Sequence, residues 1–474
     1  MAVALIALVV LSLVWFPATY LNADAVIALA WGGELSRGDI PDLTAPLMPV
    51  QHPLPTAVGV ALSPLGPDGM IDGYRVLAVA SLIALAYACF RLAGQFGGLV
   101  AGVLAVGLIL TRPQIVEYAQ IAVIDIPFTA LVLLAAVAAI ESPVGNRWKA
   151  LTLLATAGLL RPEAWVLSGA YGAWLLLRAR ARPAPGIVAL VLCGPALWAG
   201  FDLVLTGDPF STAAKARGDY QSELAAAGYQ PQGGDETTRF GWLPGHDLIE
   251  PLVPGLPDLL GWPLAIVAVT LGVFVLWARA GPRAGDDDTG SLLPVALIPL
   301  LVLAAVIFLK VVGFPYSSRF IILPAAALVA LSAAAAVRLG RSQLGRLVLA
   351  AAAIAIAVAL PRDLERIADA HSNGLIGAEE LGEIEVLTRQ PAVEAGSDCG
   401  ALAAAGSINV INGVAVLAMQ LHLDPGEVTI RRRPRPPPAS VLVLGLTQRE
   451  LDRLDRRPGP LLIEGPWAFA ASCR

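Results

Sequence analysis

The chain has 474 residues, of which 57% are hydrophobic and only 15% charged, with a mean hydropathy of +0.71. Soluble domains carry about 25% charged residues, so these values exclude an ordinary soluble enzyme and define an integral membrane protein. The formal net charge of −5 argues against a nucleic-acid partner, whose phosphates call for basic surface.

Apolar runs long enough to cross ~30 Å of hydrocarbon as helices recur along the first three quarters of the chain. About eleven are expected, at 3–20, 74–92, 97–111, 126–140, 150–160, 164–177, 187–205, 259–278, 292–312, 320–337 and 347–360. The first lacks the basic start and small-residue cleavage site of a signal peptide and reads as a retained helix. Cys89 and Cys193 fall inside such runs, where a thiol serves as a small buried hydrophobe.

Lys and Arg distribute unevenly between the connections. With the N-terminus in the cytoplasm, the inner connections hold Arg91, Arg147 with Lys149, Arg178 to Arg182, Arg279 with Arg283, and Arg338, Arg341 and Arg346. That matches the excess of positive charge in cytoplasmic loops. The outer connections then contain Asp24, Asp125, Arg161-Pro162-Glu163 and Ser317-Ser318-Arg319, with long loops at 21–73 and 206–258. Asp286-Asp287-Asp288 reads as a solvated inner turn.

An odd number of spans places the segment after residue 361 outside as well, and its composition changes there. Helix-like stretches at 412–423 and 447–454 alternate with short apolar runs at 428–430, 440–446 and 461–463 that read as strands. The expected organisation is a transmembrane domain over 1–361 and a small extracytoplasmic α/β domain over 362–474. Cys399 and Cys473 bracket the latter and could pair outside the cytoplasm. Arg431-Arg432-Arg433-Pro434-Arg435 reads as a solvated, proline-stiffened connection rather than an anionic-lipid patch.

A carboxylate at the edge of hydrocarbon is costly and marks a functional-site hypothesis. Asp24 follows the first apolar run and Asp125 opens the fourth. The bland reading of Asp24 is a helix-end carboxylate in a structural ion pair. That of Asp125 is an N-cap before Ile126-Pro127. Glu34, Asp39 and Asp42 share the first outer connection with His52, and any of them could join His52 around a divalent cation. Arg161, Arg319, Lys215, Arg239 and Arg112 are candidate phosphate binders, since a cation at a lipid boundary can hold a phosphate oxygen. The alternative for each is interfacial anchoring, with Glu163 merely pairing Arg161. Tyr220, Tyr229, Trp242 and His246, in the second long loop, suit either sugar stacking or the membrane interface.

Four short pieces together resemble the GT-C superfamily, the polytopic glycosyltransferases that use polyprenyl-phosphate sugars. Within it they resemble the branch of dolichyl-phosphate-mannose protein mannosyltransferases and aminoarabinose transferases. The pieces are Asp24 after the first run, Gln51-His52-Pro53-Leu54-Pro55 before the second, Asp125 at the fourth, and Ser318-Arg319-Phe320-Ile321-Ile322-Leu323-Pro324. They span about residues 1–340. Ala25 follows Asp24 where the family often shows Asp-Glu, and His52 stands where a Lys is common.

The resemblance implies inverting transfer of a sugar from a polyprenyl-phosphate donor to an extracytoplasmic acceptor hydroxyl, with the protein in the plasma membrane. The acceptor would be a protein, lipid or glycan of the cell envelope. Such transfer needs a base for the acceptor proton and a cation for the leaving phosphate, and Asp24 is the natural base. A polytopic transporter or flippase of glycans is the competing class. Internal repeats would favour it, but none is evident and the acids gather at one surface.

Overall fold

The computed structural model describes residues 20–43, 48–177, 185–218, 318–340, 343–391, 393, 402–405, 410–425, 428–431, 440–444, 461–464 and 467–470. The expected spans 3–20, 259–278 and 292–312, the helix at 447–454, the aromatics of the second long loop, Arg239 and the pair Cys399/Cys473 lie outside them. Two compact units divide the chain. The first comprises residues 1–18, 77–197 and 237–371, the second 19–76, 198–236 and 372–474.

In chain order the described helices are α1 (Ala23–Arg37), α2 (Pro53–Leu62), α3 (Gly66–Leu110), α4 (Pro113–Gln120), α5 (Asp125–Glu141), α6 (Arg147–Ala157), α7 (Glu163–Leu177), α8 (Pro185–Thr206), α9 (Ser211–Gly218), α10 (Ile322–Leu339), α11 (Gln343–Thr388) and α12 (Val410–Leu421). Each expected span within the described residues coincides in large part with a helix. The spans at 74–92 and 97–111 are the two legs of α3, which breaks at Gly98 (φ 69°, ψ −165°). There the chain turns back on itself: a Cβ on Gly102 would lie 2.9 Å from the Phe90 carbonyl oxygen. Residues twelve apart on a straight helix are about 18 Å apart. Only glycine takes that backbone conformation without strain.

By length and composition, the described residues contain two helical stretches able to cross a membrane, Pro53–Leu110 and Pro185–Thr206. A third is counted if Pro113–Gln120 and Asp125–Glu141, bent by 111°, form one broken span. The expected crossing at 150–160 is corrected by α6, whose 11 residues cover only about 16 Å.

In the first unit, α6, α7 and α8 meet at a core of Leu151, Leu175 and Ile187. The Trp165 indole donates to the Gly158 carbonyl at 2.9 Å, in a space that Gly158 and Gly194 leave open. Gly97 lets α3 approach α10 closely, since a Cβ there would sit 3.2 Å from Ala334 Cα.

The second unit corrects the expected outer loop at 21–73, which is largely helical. Asn22 caps α1 by accepting the Ala25 N–H at 2.9 Å, and left-handed Gly38 (φ 90°) ends it. Residues Ala25 to Glu34 are buried, because α1 packs backbone to backbone on α2: a Cβ on Gly32 would meet Gly59 Cα at 2.6 Å. Pro53 starts α2 at a position where its missing N–H costs no hydrogen bond.

Beyond residue 361 no break occurs. Pro361 lies inside α11, which runs unbroken from Gln343 to Thr388, so the expected domain boundary is not a boundary of secondary structure. The strands are β1 (Leu402–Ala405), β2 (Thr429–Arg431), β3 (Ser440–Leu444), β4 (Leu461–Glu464) and β5 (Trp467–Ala470). They form one sheet in the order β2-β1-β3-β5-β4. β1 is parallel to β2 and β3, with α12 as the β1–β2 crossover, while β5 runs antiparallel to β3 and β4. Trp467 lies against Gly413 of α12, and its indole donates to the Glu380 carbonyl of α11 at 2.6 Å. The strands expected at 428–430, 440–446 and 461–463 are present, and β1 and β5 are additional.

Candidate functional site

The first unit places Asp125 and Arg161 in direct contact. Asp125 is the first residue of α5, but the N-cap is Ile124 and makes no side-chain cap. The carboxylate instead pairs with the Arg161 guanidinium, while Arg161 Nε lies 3.6 Å from Glu163 Oε1. The guanidinium also lies over the Phe128 ring at 6.0 Å. All three charged residues are buried, so their attraction is little screened. Asp125 Oδ2 and Glu163 Oε2 make no hydrogen bond among the described residues. Among the described residues, one guanidinium thus faces two carboxyl groups.

This geometry bears on the expected phosphate role of Arg161. Its positive charge is already met by two carboxylates, so a phosphate would compete with both. A second buried pair, Arg112 with Asp363 at 2.9 Å, likewise engages another candidate cation. Arg319 sits half-buried in a 3-10 turn, Ser318–Ile321, that leads into α10.

The second unit holds Asp24, Glu34, His52 and Lys215. Asp24 occupies the first turn of α1, where the helix N-terminus favours negative charge. It is half-buried and acts electrostatically on the Tyr74 hydroxyl. The bland reading as a helix-end carboxylate therefore describes its backbone position. His52 precedes the Pro53 start of α2, with its ring edge-on to Trp198 at 5.7 Å and 80°. Lys215 Nζ donates to the Leu43 carbonyl at 2.8 Å.

Glu34, at the opposite end of α1 from Asp24, is buried and lies outside the helices long enough to span. Burial is the main cause that pushes its carboxyl up to about 8. The Asp424 charge and a hydrogen bond to Asp424 add to the shift, Asp39 raises it slightly, and Arg37 opposes it. Asp424 also accepts the Asp42 N–H. Glu34 is thus a neutral acid at pH 7, poorly suited to a cation. Among the described residues no group of three or more His, Cys, Asp or Glu is placed to hold a metal ion. The expected sharing of a metal by His52 with Glu34, Asp39 or Asp42 therefore finds no support in the geometry.

Asp202 is a buried acid outside the motifs that the sequence singles out. It is 1% exposed on α8 and accepts the Thr212 hydroxyl at 2.7 Å, the Thr212 N–H at 3.0 Å and the Gln51 amide at 3.1 Å. Its place inside the apolar run at 187–205 was the available signal, since an acid in such a run calls for an explanation. Gln51, the first residue of the Gln-His-Pro-Leu-Pro element, thereby ties the start of α2 to α8.

The chain is a helical membrane protein. The sequence matches no protein-family model and no curated protein, so its likeness to known proteins is one of fold. Among solved structures, the chain is similar to the aminoarabinose transferase ArnT from Cupriavidus metallidurans bound to undecaprenyl phosphate. The TM-score is 0.58 at 12% identity, over 99% of this chain and 98% of that one. It is also similar to the Archaeoglobus fulgidus oligosaccharyltransferase in complex with Zn and sulfate, with a TM-score of 0.52 at 12% identity, over 93% of this chain and 67% of that one.

Proposed function

We propose that the protein is a membrane glycosyltransferase that moves a sugar from a polyprenyl-phosphate donor to an extracytoplasmic acceptor hydroxyl, with inversion. The observation that carries this reading is the fold shared over 99% of the chain with a transferase solved on undecaprenyl phosphate. In this reading the N-terminus is cytoplasmic and the segment from residue 362 is extracytoplasmic.

Asp24 takes the acceptor proton. The acceptor oxygen then bonds to the anomeric carbon as the bond to the phosphate oxygen breaks, and the polyprenyl phosphate leaves as an anion. A cation stabilises that anion where charge develops, the candidates being Lys215 of the second unit, which also holds Asp24, or Arg319 of the first. Asp125 is a second catalytic candidate, within the first unit, and Arg161 holds it in place. Asp125 begins a helix and is locked by a buried ion pair, a preorganised position of the kind catalysis uses. The hexose or pentose transferred and the envelope acceptor belong to the same proposal, with mannosyl transfer to a protein, lipid or glycan as the version the sequence resemblance implies.

The test is chemical. The purified full chain, given a polyprenyl-phosphate sugar and an envelope fraction, should release polyprenyl phosphate in proportion to sugar incorporated. Movement of intact lipid-linked sugar across the bilayer without bond cleavage would instead make the protein a flippase and overturn the reading.

A further inference from the structure

The end of the first unit remote from Asp125 gathers a different set of side chains. α5 ends at Glu141, α6 begins at Arg147 and α7 ends at Leu177. Their termini are bound together: the Tyr171 hydroxyl donates to the Pro143 carbonyl at 2.6 Å, and Arg91 of α3 pairs with Glu141. The start of α8 joins them, since a Cβ on Gly186 would lie 2.9 Å from the Trp148 ring.

Trp148, Trp174 and Tyr171 lie at this end. Trp148 and Trp174 are 40% and 41% exposed, and Tyr171 stacks on Trp174 at 6.1 Å and 8°. The Arg147 guanidinium lies over the Trp148 ring at 5.1 Å and donates to the Val144 carbonyl at 2.8 Å. Lys149 is exposed beside it. Half-exposed indoles on a polytopic protein settle at the level of lipid headgroups. A cation–π contact fixes the guanidinium there without neutralising it.

We propose that this collar binds anionic phospholipid headgroups, with Arg147 and Lys149 meeting the phosphate and Trp148 and Trp174 lying among the upper acyl chains. Arg91 shares its charge with Glu141, and among the described residues at this end Arg147 and Lys149 are the cations placed beside the exposed rings. The occupant is a lipid rather than a soluble anion because exposed apolar surface continues beside the cations, with Val144 41% and Leu177 79% exposed. The inference is independent of the transfer reaction.

The test compares association of phosphatidylglycerol and phosphatidylcholine with the full chain in mixed micelles, by native mass spectrometry. Wild type should prefer phosphatidylglycerol. Each basic residue near an anionic surface is worth about five-fold in association, so Lys149→Gln should lower the preference about five-fold and Lys149→Gln with Arg147→Gln about as much again. Lys149 is exposed, so its single variant should fold normally. Equal association of the two lipids with wild type, or an unchanged preference in Lys149→Gln, would overturn the proposal. Displacement of phosphatidylglycerol by millimolar inorganic phosphate would overturn the assignment to a lipid.

Discussion

The two units bury carboxyl groups in opposite ways. The first sets acids against arginines: Asp125 and Glu163 against Arg161, and Asp363 against Arg112. The second buries Asp202 among the neutral donors Thr212 and Gln51, and Glu34 against another acid, Asp424. An ion pair ties its acid to one cation and depends on that cation remaining. An acid set against another acid keeps its proton and depends on pH. The contrast predicts different failures in the two units.

The largest effect is expected at Arg161. Removing one partner of a buried ion pair typically costs ~3–5 kcal/mol, because a charge is left uncompensated. Arg161→Gln leaves two, Asp125 and Glu163, and should therefore lower the unfolding midpoint sharply. A midpoint within a degree of wild type would show that the cluster is not held by charge.

Next is the pH response of the second unit. Glu34 has its folded value raised from 4.5 to about 8, so the folded state holds a proton that the unfolded state has released. Its contribution to stability is full below about 4.5, erodes as pH rises, and is gone above about 8. Melting temperature measured from pH 6 to 9 should fall in wild type and fall less in Glu34→Gln. Parallel curves would break the assigned role of the Glu34–Asp424 contact.

A packing change in the same unit should cost less. Gly32→Ala places a methyl 2.6 Å from Gly59 backbone atoms that cannot rotate away, an overpacking worth ~1–3 kcal/mol by denaturant titration. Smallest of all is the exposed pair of Arg75 with Asp72 at 3.0 Å. Arg75→Gln should change stability by ~0.2–1 kcal/mol, and a loss as large as that of Arg161→Gln would erase the distinction between buried and exposed pairs.

The apolar helices were legible from the sequence because the bilayer sets a length that an apolar run either meets or does not. The connection at 21–73 was not, because its acids and prolines suggested a polar loop. Its apolar residues from Ala25 to Gly33 form a run too short for a span, and their burial inside protein depends on α2 and α12. Asp125 and Arg161 were each singled out, yet their pairing is a product of folding, as is the engagement of Glu34 with Asp424. Asp202 was hidden by its setting, since one acid does not interrupt an otherwise apolar run.

The proposed transfer depends most directly on Asp24. The decisive measurement is the rate of sugar transfer from a polyprenyl-phosphate donor by the purified full chain, for wild type, Asp24→Asn and Lys149→Gln prepared together. Loss of a general base typically costs about 100- to 10,000-fold, so Asp24→Asn should be at least about 100-fold slower at an unchanged folded yield, with Lys149→Gln close to wild type. Transfer by Asp24→Asn at the wild-type rate would contradict the account.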